Sequence, residues 1–325
     1  MTTKFQGFLE KGVFVLCLAF AVILTVRADS SNMVLDGVSL WVATVLPSTF
    51  PYLFITAILS SLKTTQKISL KLSPFTRRVF NVNGLCGYAF IMSVISGYPV
   101  GAQIVSDLKN GGLLTDSEST RASAFCSTSS PVFLIGCVGN IMFGNSLFGL
   151  LLFLCNFISA FLNGIIFSFY KRKDKAQNIT APLSTTAYDD VIGDCAYNSA
   201  LSIIKVGSII TLFYLFTEIL SKLGVFTYPV KLLSLIFKDG AVAEGLILGA
   251  FECTKGLKIL SAGGLTPYSL PICAFICGFG GLSVIIQSLA CLKKAKIKTA
   301  PFILAKIIMA VTSVLIALLF NFFLL

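Results

Sequence analysis

Four clusters of residues carry groups able to bind a polar ligand, and each interrupts an otherwise apolar stretch. The first is Ser96-Gly97-Tyr98-Pro99-Val100-Gly101-Ala102-Gln103. Two glycines and a proline let a backbone turn tightly and approach a ligand. A helix starting near Gly101 would offer free N–H donors to an anion, and Tyr98 and Gln103 would add hydroxyl and amide contacts. A tight turn with packing glycines is the plainer alternative. The second cluster, Ser127-Thr128-Ser129-Ser130-Pro131, sets four hydroxyls beside a residue that lacks an N–H. Hydroxyls orient a polar ligand without the cost of a buried charge, although they also bond back to carbonyls at kinks. The third holds Glu252, Thr254 and Lys255, with Lys258 a turn later. Ionisable groups at membrane depth are expensive and are functional candidates by default. Glu252 and Lys255 are able to pair, and one of them could face a substrate carboxylate. Alternatively, Lys255 and Lys258 snorkel from a shallow hairpin. The fourth, Gly278-Phe279-Gly280-Gly281-Leu282-Ser283, allows an unwound backbone or close helix contact. Lys306, a few residues inside the last helix, is expected to snorkel.

The elements that must position these groups are membrane helices. The chain has 325 residues, of which 56% are hydrophobic and only 12% charged. Soluble domains are about 25% charged, and the mean hydropathy is +0.90. These values exclude a single water-soluble globule and a disordered chain. The formal charge of +11 fits basic loops on one side of a bilayer better than nucleic-acid binding. The absence of histidine excludes histidine metal sites and Ser-His-Asp triads. The ten cysteines mostly lie in apolar runs, form no C-x-x-C pair, and are expected as small buried hydrophobes. No P-loop, metal set, paired carboxylates or nucleophile–base pair appears, so neither an enzyme nor a cofactor is expected.

Segments 12–26, 34–62, 143–170, 196–220, 268–292 and 301–325 are each long and apolar enough to cross a bilayer. The first is expected as a retained helix rather than a cleaved signal, although Val26-Arg27-Ala28 is a passable cleavage site. Segments 84–108, 122–140 and 240–260 are apolar but broken by the clusters above. Such breaks survive in a membrane only when packed in protein or facing a watery cavity. A shift of 152 residues lays Gly111-Gly112-Leu113 on Gly263-Gly264-Leu265, Gly97 on Gly249, and the hydroxyl run on Phe279-Gly280-Gly281-Leu282. If 84–112 and 240–262 are hairpins that do not cross, seven crossings remain. Then 17 of the 25 Lys and Arg fall on one side, including Lys109, Arg121, 171–175 and 293–298, and only four on the other. The two halves then enter the membrane from opposite sides. The expected fold is an all-α polytopic membrane protein with an inverted repeat of helices and two broken or re-entrant hairpins. Its parts are an N-terminal transmembrane helix (1–33), a first gate-like repeat (34–170), a cytoplasmic linker (171–186) and a second gate-like repeat (187–325).

The Ser-Gly-Tyr-Pro-Val-Gly-Ala run from Ser96, the Gly111–Leu114 step, the Phe125–Phe133 stretch and Gly278–Val284 together resemble the sporulation integral membrane protein YlbJ (SpoVV) family. More distantly, the hairpins look like the gate domains of concentrative nucleoside transporters. The first resemblance implies a multipass protein of spore-forming Firmicutes that moves dipicolinate across the outer forespore membrane. The sequence departs from the expected pattern at Gln287 and Ser288, and it lacks the Gln-Ser/Thr-Glu motif of nucleoside transporters in its first hairpin. A site for dipicolinate, a planar aromatic dianion, wants helix N-termini, hydroxyls, a cation and an aromatic face. Tyr98, the two broken segments and Lys255 are the expected sources. The competing readings are a carrier of nucleosides or another polar metabolite, and a non-transporting membrane scaffold of sporulation. Expected partners are a small organic anion and the lipid bilayer, with no nucleic acid; self-association stays open.

Overall fold

A computed structural model describes residues 2–27, 29–176 and 191–324. The described residues form helices and connecting turns, without strands. The chain opens with α1 (Thr2–Val26), α2 (Ser30–Leu40), a π turn at Trp41–Val45, and α3 (Leu46–Ser61). Then comes α4 (Lys63–Phe80), which ends at Asn81 in the left-handed region and meets α5 (Gly84–Ser96) at 89°. Helix α5 forms a hairpin with α6 (Val100–Asn110), and α7 (Asp116–Phe125) follows. Its start is dictated locally: Thr115 and Glu118 cap one another's backbone N–H groups. After a break at 126–131 the chain resumes as the π-helix Val132–Met142, then α8 (Ser146–Ser168). The second half runs α9 (Val191–Lys222), α10 (Thr227–Phe237), α11 (Gly240–Phe251), α12 (Cys253–Ala262), α13 (Ser269–Phe279), α14 (Gly281–Lys294) and α15 (Thr299–Leu324).

The element order is the same in both halves: a helix leading into a hairpin, a Gly-Gly turn, a broken helix, and an unbroken one. Gly112 and Gly264 take matching left-handed conformations, φ +72° and +76°, so the 152-residue shift is structural at that turn. It fails at the tips. Gly249 lies inside α11 against Ile276, and the second hairpin breaks at Glu252 instead. The segment 268–292, long enough to cross as one helix, is interrupted at Gly280, inside the Gly278–Ser283 run for which an unwound backbone was one of the two expectations.

Helix α15, 26 residues long and so about 39 Å, shows how the hairpins are oriented. At its start, Ile297 and Phe302 share a core cluster with Leu108 and Leu114 at the base of the first hairpin. At its far end, Asn321 Nδ2 donates to Pro267 O (2.9 Å) beyond the base of the second. The hairpins therefore enter from opposite ends, and their tips meet near the middle. Five helices among the described residues are long and apolar enough to span a bilayer, α2–α3 counted as one and α13–α14 as another. The bent α4–α5 pair is not a straight span.

Basic residues gather at the first hairpin's base. Buried Arg121 donates to the carbonyls of Tyr170, Lys171 and Asp174. Lys109 pairs with Asp116 at 2.5 Å and, by that hydrogen bond, holds its carboxyl below the usual range. At the opposite end Lys222 pairs with Asp29. Eight of the ten cysteines are buried, and all are free thiols. Residues 177–186 of the expected linker lie outside the described residues.

Candidate functional site

Each half contributes one hairpin tip and one broken helix to the centre. At the first tip Gly97 has φ +78°, which a side chain would resist, and the Tyr98–Pro99 peptide is cis. Ser96 Oγ bonds Thr56 Oγ1 and donates to Tyr52 O (3.2 Å), so α3 holds the tip. Gly101 contacts the protein rather than a ligand: a Cβ there would lie 2.2 Å from Cys126 O and 2.6 Å from Ser93 Cβ. Next to it the hydroxyls of Ser93 and Thr128 bond at 3.1 Å.

The first broken helix is held open by side chains. Ser129 N donates to Asn156 Oδ1 (3.1 Å), and Phe133 N donates to Ser130 Oγ (3.2 Å). The Tyr98 hydroxyl donates to Cys277 O (2.5 Å), which also accepts from Asn156 Nδ2 (3.2 Å). The first half is thereby tied to α13 of the second.

Lys306 corrects the expectation of snorkelling. It is 0% exposed. Its ammonium donates to Ser127 O at 3.1 Å, in the break after α7, and sits 4.5 Å from the centroid of the Tyr98 ring. The carbonyl end of a helix and an aromatic face both favour a cation. Among the described residues it makes no ion pair.

At the second tip Glu252 is buried and caps α12 by accepting from Lys255 N at 2.6 Å. It pairs with the backbone of Lys255, not with its ammonium. That ammonium turns to α9, where it donates to Thr217 Oγ1 (3.0 Å), lies 3.5 Å from Glu218 and sits over the Tyr214 ring at 4.6 Å. Gly281 lies under this tip, where a Cβ would come within 3.1 Å of Cys253 N.

Between the tips is a cavity of about 60 Å³. Of the expected residues, Ser96, Gly97, Tyr98, Ser129, Ser130, Glu252 and Thr254 line it. Pro99 completes the tip turn, and Gly280 packs beside the Tyr98 ring. Ser127 and Thr128 are buried behind the lining, as are Gly281 and Ser283. Gln103 is exposed and Lys255 faces α9, so neither reaches the cavity. Lys258 is also exposed.

Sequence reasoning missed Thr49, Gln287 and the α9 residues Val206 and Ile210 in the lining, and Asn156 and Lys306 behind it. The signal for Lys306 was its register. Phe302, Lys306, Met309, Ser313 and Ala317 form the buried stripe of α15, while Ile303, Leu304, Ile307, Val311 and Leu315 are exposed. Several buried polar atoms have no hydrogen-bond partner within the described structure: Ser127 Oγ, Ser283 Oγ, Gln287 Nε2 and Ser288 Oγ. Four helices begin at this centre: α6, α12, α14 and the π-helix. Glu252 caps α12, whereas α6 and α14 carry no side-chain cap. Uncapped N-termini favour negative charge.

No family model matches the chain. The sporulation integral membrane protein YlbJ of Bacillus subtilis (strain 168) is 28% identical over 301 residues, covering 85% of this chain and 73% of that protein. Among solved structures, a CNTnw double variant in an outward-facing state superposes with a TM-score of 0.50 and 13% identity, over 97% of this chain and 85% of that one. The chain is thus similar in sequence to a sporulation integral membrane protein, and its fold is similar to that of CNTnw.

Proposed function

We propose that this relative of the YlbJ proteins is a carrier, not an enzyme, and that it moves dipicolinate (pyridine-2,6-dicarboxylate) across the outer forespore membrane during sporulation. Residues 34–170 and 187–325 act in this reading as two gate-like repeats joined by the linker 171–186. The sporulation relative and the transporter fold support the setting. The observation that carries the anionic substrate is Lys306: an ammonium 0% exposed, with no ion-pair partner among the described residues, one aromatic ring from the cavity.

Taking an ammonium out of water costs several kcal/mol unless something compensates. A carbonyl and a ring face compensate only in part. A dianion beyond the Tyr98 ring would complete the compensation, because charges interact strongly where water is scarce. The uncapped starts of α6 and α14 add positive ends, and Gln287 Nε2 supplies a donor to a carboxylate. Tyr98 offers a planar face to a planar ring.

The cavity volume also constrains the mechanism. About 60 Å³ is room for about two waters, against roughly 300 Å³ or more for a drug-sized ligand. Admitting dipicolinate therefore requires the tips to part. Hairpins inserted from opposite ends suit alternate opening to the two sides.

The test is uptake of labelled dipicolinate into proteoliposomes holding the purified chain, with a nucleoside as competitor. Saturable uptake unaffected by the nucleoside is expected. Uptake blocked by the nucleoside, or none from folded protein, would overturn the assignment and favour the nucleoside or scaffold reading respectively.

A further inference from the structure

A second cavity, of about 590 Å³, opens at the basic end of the molecule, far from the hairpin tips. Arg77 and Arg78, from the last turn of α4, line it together with Arg172 and Lys175, from the segment after α8. Among the described residues, no acidic one is in the lining. Asp174, in the same segment, is engaged elsewhere: Ser117 Oγ donates to its Oδ2 at 2.5 Å.

The arrangement is built rather than incidental. Arg121, 1% exposed, clamps the segment by donating to the carbonyls of Tyr170 (3.0 Å), Lys171 (3.3 Å) and Asp174 (2.8 Å). Asn81 Oδ1 accepts from Ala176 N at 3.3 Å, fastening the same segment to the end of α4. A buried arginine thus fixes backbone so that four further cations surround one cavity. Cations that line one cavity favour an anion in it.

Besides Asn81 and Ser168, the rest of the wall is apolar, and the Arg172 guanidinium lies over the Phe169 ring at 5.1 Å. Ile165, Val79 and Phe169 line it, and Phe169 is 60% exposed. Helix α4 turns 89° from α5 and carries exposed Ile68 and Phe75 as well as its arginines, the composition of a helix lying in a membrane interface. A free inorganic anion would satisfy the cations and leave the apolar wall bare. An amphiphile satisfies both, and basic pockets between membrane helices are suited to anionic headgroups.

We propose that this cavity binds the phosphate headgroup of an anionic glycerophospholipid from the leaflet on the basic side, with an acyl chain along Ile165 and Phe169. The test uses the purified chain and native mass spectrometry after exchange into phosphatidylglycerol, phosphatidylcholine, or phosphatidylglycerol with inorganic phosphate. The variants are Arg78→Gln with Arg172→Gln, and, as an equally basic control outside the cavity, Lys293→Gln with Lys294→Gln. Wild type and control are expected to retain phosphatidylglycerol at least tenfold over phosphatidylcholine. The cavity variant should lose that preference tenfold with an unchanged circular dichroism spectrum. Should that variant unfold, the single change Arg172→Gln carries the same expectation at about threefold. Equal retention by cavity and control variants would overturn the proposal. So would displacement of the lipid by millimolar phosphate, which would mark a free-phosphate site.

Discussion

Lys255 and Lys306 are both lysines at membrane depth, and both are buried, at 5% and 0% exposure. Lys255 has a complete set of partners on α9: a hydroxyl, the Glu218 carboxylate and an aromatic face. Lys306 has a carbonyl and an aromatic face but no carboxylate among the described residues. A charge already neutralised within the protein fastens one element to another; here it ties the second hairpin to α9. A charge short of a counter-charge, one ring from the cavity between the tips, is placed to receive one from a substrate. Residue type and membrane depth alone rank the two lysines alike. Their partners separate them.

The largest expected effect separates them in function. Lys306→Met should lower dipicolinate uptake about 10- to 100-fold at unchanged membrane abundance, the range for losing a charged hydrogen-bonding partner. Lys255→Met should keep uptake within about threefold. Similar losses in both would break the comparison. Next is Glu218→Gln, which leaves the Lys255 ammonium without its carboxylate. Because Glu218 is partly exposed, the cost should be about 1–2 kcal/mol in denaturant unfolding. Adding Lys255→Met to it should recover most of that, and no recovery would show that the pair is not what Glu218 serves.

Packing at the tip and the base of the first hairpin gives a similar but more local contrast. Gly101→Ala drives a Cβ to 2.2 Å from Cys126 O and should cost about 1–3 kcal/mol through overpacking. Gly112→Ala meets nothing within 4 Å and should cost only about 1–2 kcal/mol, from its left-handed backbone. Thermal unfolding in a fixed detergent would rank them. The smallest effect is Gln103→Ala: exposed and outside the cavity, it should leave the uptake rate unchanged.

Much of the fold was legible because hydrocarbon punishes freed backbone groups. Glycine, proline and hydroxyls at mid-span mark places where the chain has to be shielded, and Ser96–Gly101 and Ser127–Pro131 proved to be a hairpin tip and a helix break. Gly112 and Gly264 exposed the repeat because both need left-handed backbone. The second tip was misaligned by three residues, since Glu252 there does by side-chain capping what Gly97 does by conformation. The break at Gly280 was marked by its glycines, which by themselves fit close helix packing as well as an unwound backbone. Partner choice was not legible at all. Nothing local to Lys255 names Glu218, which lies on another helix. Lys306, close to the start of α15 in sequence, points across the bundle to the break after α7. Only the small and polar stripe it shares with Ser313 and Ala317 hinted at this.

The most direct measurement is equilibrium binding of labelled dipicolinate to the purified chain in detergent, for wild type, Lys306→Met and Lys255→Met. Saturable binding to wild type is expected, with affinity weakened at least tenfold in Lys306→Met and near-wild-type affinity in Lys255→Met. Unweakened binding to Lys306→Met, with affinity lost in Lys255→Met, would contradict a substrate-facing role for Lys306.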